Sequence, residues 1–185
     1  MTNKVFTIVR KDGKIYFKSA DKGMQFLHIA PITPYGSNTY WSFRNLKFYN
    51  KENVEMKVTS YKIVNDYKAT FVLDGKINAT VEAKANSVYG STYNITCLFQ
   101  DTIYGSLYTG YGQKFGLFFD FGEVISLGRI LSSTHSNGGY NLSKYEVYAD
   151  ENDKRFLIQG TGTNAGYDKL DMDWRNQIWV YFRLK

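Results

Sequence analysis

The segment Leu117–Asp150 constrains the fold more than any other part of the chain, because it divides into three strand-like runs separated by turn residues. Leu117–Phe121 is densely apolar and closes at the pair Gly122-Glu123, and Val124–Leu131 is a second run. Leu142–Tyr148 alternates apolar and polar side chains after a polar loop. β-Branched and aromatic residues suit a half-buried pleated strand, and glycine, asparagine and serine mark its ends. The segment therefore predicts three β-strands.

The rest of the chain repeats this pattern of short apolar runs and turns. Asp12-Gly13 separates Val5–Arg10 from Lys14–Phe17, and Asp-Gly between two such runs is a strong hairpin signal. Residues 19–40 are predicted to be irregular, and the Tyr- and Gly-rich segment Ile103–Gly116 is predicted to be mostly loop. Further predicted strands are Trp41–Asn50, Val54–Val58, Thr92–Phe99, Arg155–Gln159 and Ile178–Leu184.

These runs together predict an all-β fold. Strands at intervals of about 8–12 residues are typical of a β-sandwich or jelly roll, and 16 glycines against 2 prolines with 17% aromatic residues agree with that class. A chain of 185 residues is long enough to bury one core without disulfides. We divide it into an N-terminal β-hairpin or attachment segment, residues 1–35, and a β-sandwich, residues 36–185, because the first part is too short to hold a core alone.

Composition and charge exclude several classes of protein. No apolar window reaches the length of a membrane-spanning helix, and the opening residues lack the apolar centre of a secretory signal, so we expect the protein to stay where it is made or to leave in a virion or on lysis. The net charge is +6, but the lysines and arginines are scattered singly, which argues against nucleic-acid binding. The single Cys97 cannot form an internal disulfide and is expected to be a small buried hydrophobe.

No pattern in the sequence indicates catalysis. The two histidines, His28 and His135, lie far apart and in no recognisable motif. Glycoside cleavage would require a pair of carboxylates, and the candidates for it are Asp120, Asp171 and Asp173. Roles in turns and on the surface explain these three residues instead. We therefore predict a protein that is not an enzyme.

Four segments, taken in order, resemble a known family. They are Ala69–Thr80, with its Asp74-Gly75 pair, Phe118–Glu123, Gly138–Asp153 and Val180–Leu184. Their order and spacing resemble the discoidin domain, also called the coagulation-factor type C or galactose-binding-domain-like jelly roll, over about residues 40–185. The sequence departs from the family where Val81 and Glu82 follow Thr80 in place of the usual tryptophan, and the paired cysteines of some members are absent.

The resemblance implies that loops at one end of a sandwich recognise sugars. An aromatic ring covers the apolar face of a pyranose, while amides, histidine and hydroxyls bond its hydroxyl groups. The candidate loops are Tyr104–Tyr111, Ser132–Asn141 and Gly160–Trp174, and their candidate ligand contacts are Tyr104, Tyr108, Tyr111, His135, Asn137, Tyr140, Tyr167 and Trp174. The alternatives are that the tyrosines cap the core edge, that His135 is an ordinary surface residue, and that Trp174 belongs to the core.

The loop Ser132–Asn141 also departs from sugar-binding relatives, which often carry an arginine there, because no arginine lies between Arg129 and Arg155. Asp74 matches the position where many family members hold a structural calcium ion, with Asn78 and Thr80 as local oxygen donors. The Asp-Gly turn alone is the alternative explanation for Asp74, and no other cofactor is expected.

The N-terminal hairpin and the richness in tyrosine, asparagine and glycine favour a virion protein. We expect a non-enzymatic phage structural protein, such as a fibre, baseplate or head-decoration module, that is a homo-oligomer and contacts other virion proteins. Its discoidin-like domain would bind host cell-surface carbohydrate. The alternative is a stand-alone carbohydrate-binding module of a bacterial surface or glycan-degrading system.

Overall fold

The computed structural model describes residues 6–11, 14–19, 23–133, 135, 140–151, 154–163, 169–177 and 179–182. They fold into two antiparallel sheets in a sandwich-like arrangement, consistent with a jelly roll. The strands are β1 Phe6–Lys11, β2 Lys14–Ser19, β3 Met24–Pro34, β4 Tyr40–Asn50, β5 Glu55–Met56, β6 Val58–Asn65, β7 Lys68–Leu73, β8 Ile77–Lys84, β9 Ser106–Thr109, β10 Gly116–Ile125, β11 Leu127–Ser133, β12 Leu142–Glu151, β13 Lys154–Thr163, β14 Lys169–Asp173 and β15 Val180–Phe182. The predicted all-β class is confirmed.

The larger sheet has the strand order β15-β13-β12-β3-β10-β8-β7-β6. The smaller sheet has the order β14-β11-β4-β5, and β9 pairs with the opening part of β4. β1 and β2 pair only with each other as a separate hairpin, which confirms the Asp-Gly hairpin signal. Ser91–Tyr93 and Ile95–Phe99 form 3-10 helices, and none of the helices among the described residues is long and apolar enough to cross a membrane.

The core lies between the two sheets, because alternate side chains of each strand point inward. In β7 and β8 the buried positions alternate strictly with more exposed ones, as a two-residue period requires. Phe48 of the smaller sheet meets three rings of the larger sheet, with centroids 5.5 Å from Phe71, 5.9 Å from Phe119 and 6.4 Å from Phe121. Aromatic pairs at these distances join the layers by burial and by ring–ring attraction.

Buried polar tips of large aromatic residues fasten neighbouring segments to each other. Trp41 Nε1 donates to the carbonyl of Gly110 at 2.7 Å, and Tyr108 OH donates to that of Asp66 at 2.6 Å. Tyr145 OH on β12 donates to a carbonyl of β14 at 3.0 Å, which links the two sheets directly. Each bond satisfies a group that would otherwise be buried without a partner.

Two segments form a different type of element from the one predicted. Met24–Pro34, expected to be irregular, is a long strand that pairs with β10 on one side and with β12 on the other. Residues 24–34 therefore belong to the sandwich, and a boundary at residues 35 and 36 would separate β3 from both neighbours. The predicted strand Thr92–Phe99 is instead largely 3-10 helix. Ile103–Gly116 is mostly loop, as predicted, with the short strand β9 inside it.

Candidate functional site

Six aromatic rings from distant parts of the sequence form one continuous surface, which we call the tyrosine strip. Its members are Tyr40, Tyr89, Tyr93, Tyr104, His135 and Tyr140. Ring centroids are 5.3 Å apart between Tyr40 and Tyr89, 5.4 Å between Tyr89 and Tyr93, and 5.4 Å between Tyr93 and Tyr104. His135 follows at 6.5 Å from Tyr93 and 6.2 Å from Tyr104, and Tyr140 lies 4.9 Å from His135.

Regular backbone pairing fixes the first rings of the strip. Tyr40 opens β4, which pairs with β9. The far side of β9 pairs with residues 86–89: Tyr89 N donates to the Leu107 carbonyl at 3.0 Å, and Thr109 N donates to the Ser87 carbonyl at 3.0 Å. The strip therefore begins along an extension of the smaller sheet, on a scaffold more rigid than a free loop.

Tyr93 is held by the side chain of Asn94, which joins the two 3-10 helices. Asn94 Nδ2 donates to Asp66 Oδ1 at 2.9 Å and to the Ser91 carbonyl at 2.8 Å. Asn94 Oδ1 accepts the Thr96 amide at 3.0 Å, as a helix N-cap does. These three bonds hold the backbone on both sides of Asn94, directly after Tyr93.

Tyr104 is held by close packing of the next residue, Gly105. A Cβ atom at Gly105 would lie 1.9 Å from Ser42 Oγ, so only glycine allows this segment to approach β4 so closely. Ser42 and Leu107 alternate with the core residues of β4 and β9 and face outward, yet each is only 2% exposed. The segment carrying Tyr104 and its neighbours therefore covers the outer face of the β4–β9 pair.

The strip combines exposed ring surface with hydroxyl groups that are available for bonding. Tyr89 is 50% exposed and Tyr104 is 42% exposed, beside Ile103 at 60%. His135, at 6%, lies beneath its three tyrosine neighbours. Within the part of the chain that the structure describes, the five tyrosine hydroxyls make no hydrogen bond to protein groups. Such a surface offers apolar faces and donors or acceptors together.

The structure brings together three of the predicted ligand contacts and places three others, Tyr108, Tyr111 and Trp174, elsewhere. Tyr104, His135 and Tyr140 lie in the tyrosine strip. Tyr108, at 0% exposure, and Trp174, at 2%, are core residues whose polar tips are bonded to the carbonyls of Asp66 and Leu127, so a ligand would reach them only if the core opened.

Tyr111 packs against the core, and burial raises the pKa of its hydroxyl well above the usual range. Its hydroxyl is buried without a hydrogen-bond partner among the described residues. Asn137 and Tyr167 lie outside the described residues.

Sequence reasoning missed Tyr40, Tyr89 and Tyr93. A signal was present, because Tyr-Gly-Ser occurs at residues 35–37, 89–91 and 104–106, and the tyrosines of the last two copies are the exposed rings of the strip. Gly90 adopts a φ of 68°, which allows the chain to turn directly from Tyr89 into the helix that carries Tyr93.

His28, the other histidine, lies on the outer face of the larger sheet in a cluster of stacked and hydrogen-bonded side chains. Its ring stacks on Phe118 with centroids 3.8 Å apart, and Nε2 donates to the Phe115 carbonyl at 2.6 Å. Arg155 donates to Nδ1, so the proton of the neutral ring is on Nε2. Arg155 also pairs with Asp150 at 3.1 Å and lies over the Tyr148 ring at 4.0 Å.

The pKa of His28 is lowered to about 3, chiefly by burial and also by the charges of Arg155 and Lys84, while the bond to Phe115 opposes the shift. The ring is therefore neutral at physiological pH, and both of its nitrogens already have partners. This arrangement explains His28 as a structural residue.

The carboxylates considered for catalysis have protein partners. Asp171 forms a two-point pair with Arg129, at 2.8 and 2.7 Å, and Asp173 pairs with Arg175, which lowers the pKa of Asp173. Asp120 accepts from Gln25 at 3.1 Å and from the Gly122 amide at 2.8 Å. These contacts agree with the turn and surface roles expected for them.

Asp74 has a structural role that does not require a metal. Asp74 and Gly75 have φ values of 50° and 69°, as a type I′ hairpin turn between β7 and β8 requires. Asp74 Oδ1 accepts the Lys57 amide at 2.8 Å, and the Asp74 amide donates back to the Lys57 carbonyl at 2.8 Å. Among the described residues, no three His, Cys, Asp or Glu side chains form a cluster that would hold a metal ion.

A shallow groove of about 370 Å³ lies on the outer face of the larger sheet, at β6, β7 and β8. Its outward-facing side chains are Ser60, Lys62, Thr70, Val72, Asn78 and Thr80. Tyr61 also lines the groove and is 41% exposed, but its ring stacks on Phe99 with centroids 4.7 Å apart. The groove thus offers one exposed ring and the tyrosine strip offers several, which makes the strip the stronger candidate site.

No protein-family model matches the chain, and neither a curated protein nor a solved structure is similar to it.

Proposed function

We propose that this β-sandwich is a non-enzymatic binding module that holds a carbohydrate against the tyrosine strip. The observation that carries the proposal is the convergence of five tyrosine rings from separate segments around the buried His135, with Tyr89 and Tyr104 half exposed and the tyrosine hydroxyls making no hydrogen bond to the residues that the structure describes. Exposed aromatic clusters on soluble domains mark interaction surfaces.

The chemistry of the strip suits a sugar. A tyrosine ring covers the C–H face of a pyranose, and its hydroxyl both donates to and accepts from sugar hydroxyls. Tyrosine also loses little side-chain freedom on binding, since only two torsions have to be fixed. Because the rings already pack against one another, most of that ordering precedes ligand binding, which lowers its free-energy cost.

A glycan array followed by calorimetry on the best ligand tests the proposal. We expect Tyr89→Ala and Tyr104→Ala each to weaken binding about tenfold or more, equivalent to about 1.4 kcal/mol. Phe26→Ala is the matched control, because Phe26 is 41% exposed on the outer face of the larger sheet. Asn78→Ala is a second control, because Asn78 lines the groove on the larger sheet and not the tyrosine strip. Absence of glycan binding, or binding that ignores both tyrosine changes, would refute the proposal.

We further propose a phage particle as the setting of this module, in a fibre, baseplate or head decoration, where it would face host cell-surface glycans. The hairpin β1–β2, which pairs with neither sheet, is the proposed attachment segment to other virion proteins. Light scattering of the full chain is expected to give a trimer or a larger ring, and a monomer would count against this setting. Portal, tail or capsid genes beside this one would support it.

A further inference from the structure

We infer that the tyrosine strip binds an extended, uncharged run of sugar residues along its length, as a single soluble chain, rather than one terminal sugar. This inference rests on the proposed carbohydrate binding and names the kind of ligand. Its basis is the order, spacing and tilt of the rings.

The ring contacts form a line from Tyr40 to Tyr93 and then a group of three, because Tyr93, Tyr104 and His135 all contact one another and Tyr140 contacts His135. Ring contacts run from Tyr40 to Tyr89 and on to Tyr93, each step between 5.3 and 5.4 Å. They continue to Tyr104 and His135 and end at Tyr140. Each step is about the width of one sugar ring, so a monosaccharide would cover one tyrosine and leave the others in water. A chain of sugars laid along the strip covers several rings at once.

The tilt of the rings indicates that the ligand is a single polysaccharide chain and not the flat face of a crystalline polysaccharide. Neighbouring planes meet at 84° for Tyr40 and Tyr89, 69° for Tyr89 and Tyr93, and 79° for Tyr93 and Tyr104. A crystalline polysaccharide face requires coplanar rings. Rings that alternate between face and edge instead follow a separate chain whose successive sugars turn relative to one another.

The ligand is expected to be uncharged because the strip consists of five tyrosines and a histidine, without a carboxylate, lysine or arginine among its members. Binding then comes from ring contact and hydroxyl hydrogen bonds, which salt screens little. An acidic polysaccharide would instead be held by the scattered surface lysines, and its affinity would fall steeply as ionic strength rises.

The test is calorimetry of the full chain with neutral oligosaccharides of β-1,4-linked glucose, N-acetylglucosamine and mannose, each from one to six residues long. We expect one series to bind, with Kd falling at least tenfold between one and four residues and then levelling, and changing less than twofold between low and high salt. Crystalline cellulose and chitin should retain no protein.

Two variants at the ends of the strip provide the internal control. Tyr40→Ala and Tyr140→Ala should weaken binding of the six-residue oligosaccharide several-fold more than binding of a two-residue one, with circular dichroism confirming the fold. Equal affinity for one and four residues, retention on a crystalline surface, or a steep salt dependence would overturn the inference. So would failure of all three series. Binding to any glycan on the array would in each case leave the proposed function standing.

Discussion

Gly105 is the residue on which the position of Tyr104 depends. Its missing side chain lets the loop touch β4, where a Cβ would meet Ser42 Oγ at 1.9 Å and the Phe43 carbonyl at 3.3 Å. The contact with the hydroxyl is far too short to persist, and the carbonyl on the paired backbone of β4 leaves little room beside it, so an added methyl group has to displace the loop. A buried contact between a hydroxyl and a glycine thus determines where an exposed ring lies.

We therefore expect Gly105→Ala to weaken glycan binding about tenfold and to destabilise the fold by about 1–3 kcal/mol, the usual cost of overpacking. Calorimetry and urea unfolding measure the two effects. Gly160→Ala is the control, because a Cβ there meets only the flexible tip of Leu157, at 3.0 Å. Ser42→Ala removes a hydroxyl without a hydrogen-bond partner among the described residues, so adding it to Gly105→Ala should restore part of the affinity. No restoration would contradict this account.

His28 makes stability depend on pH. Its pKa is about 3 in the folded chain and about 6.5 when unfolded, so the unfolded state binds the extra proton between these values. The contribution of the neutral ring is complete above pH 6.5 and is lost progressively as the pH falls toward 3. Between pH 7 and pH 4.5 the expected loss is of the order of 2 kcal/mol.

Urea unfolding at several pH values measures this loss. His28→Gln lacks the titrating ring, so its free energy of unfolding should fall less steeply between pH 7 and pH 4.5. Carbon NMR of the His28 ring in the unmodified chain gives an independent measurement if the variant does not fold. A ring that titrates near pH 6 in the native state would show that burial and the charge of Arg155 do not enforce the neutral form.

At the scale of elements, the local sequence pattern predicted those strands that bury one face. It failed to predict an element whose conformation depends on pairing with distant parts of the chain. The Asp-Gly turn at Asp74-Gly75 and the run Leu117–Phe121 were readable, because the turn chemistry and the burial alternation are local. Met24–Pro34 was missed because its burial depends on β10 and β12, which lie far along the chain, and because its two prolines suggested a loop. Thr92–Phe99 alternates like a strand, but Asn94 caps a 3-10 helix within it.

The β7–β8 hairpin turn allows the calcium prediction to be tested against the observed hydrogen bond. Asp74→Ala removes the acceptor for the Lys57 amide and should destabilise the protein by about 1 kcal/mol. We expect the same loss with calcium present and with a chelator, since the carboxylate already has a protein partner. Thermal unfolding measures it, and Asn78→Ala is the control on the neighbouring strand. A stabilisation by calcium that disappears in Asp74→Ala would establish the ion instead.

At the scale of the whole molecule, the candidate site was only partly readable. Tyr104, His135 and Tyr140 could be proposed from polar, aromatic loops, but their proximity to Tyr40, Tyr89 and Tyr93 depends on β4, β9 and residues 86–89 pairing side by side. Tyr108 and Trp174 look identical to exposed loop aromatics in sequence, and their burial depends on which face the strand presents to the core. Sequence patterns of this kind identify the residue types of a binding surface but not its members.

The position of β3 leads to a prediction about which part of the chain folds independently. A chain that begins at Asp21 keeps both sheets and loses only the hairpin β1–β2, so it should unfold cooperatively and keep its glycan affinity within about twofold. A chain that begins at Gly36 lacks the strand between β10 and β12. It exposes two unpaired strand edges and removes Leu27 and Ile29 from the core, and should therefore aggregate or remain unfolded.

Circular dichroism and light scattering distinguish the two chains. A folded, monomeric chain from residue 36 would mean that β3 is dispensable, and the sandwich would then have to close by pairing β10 with β12 directly.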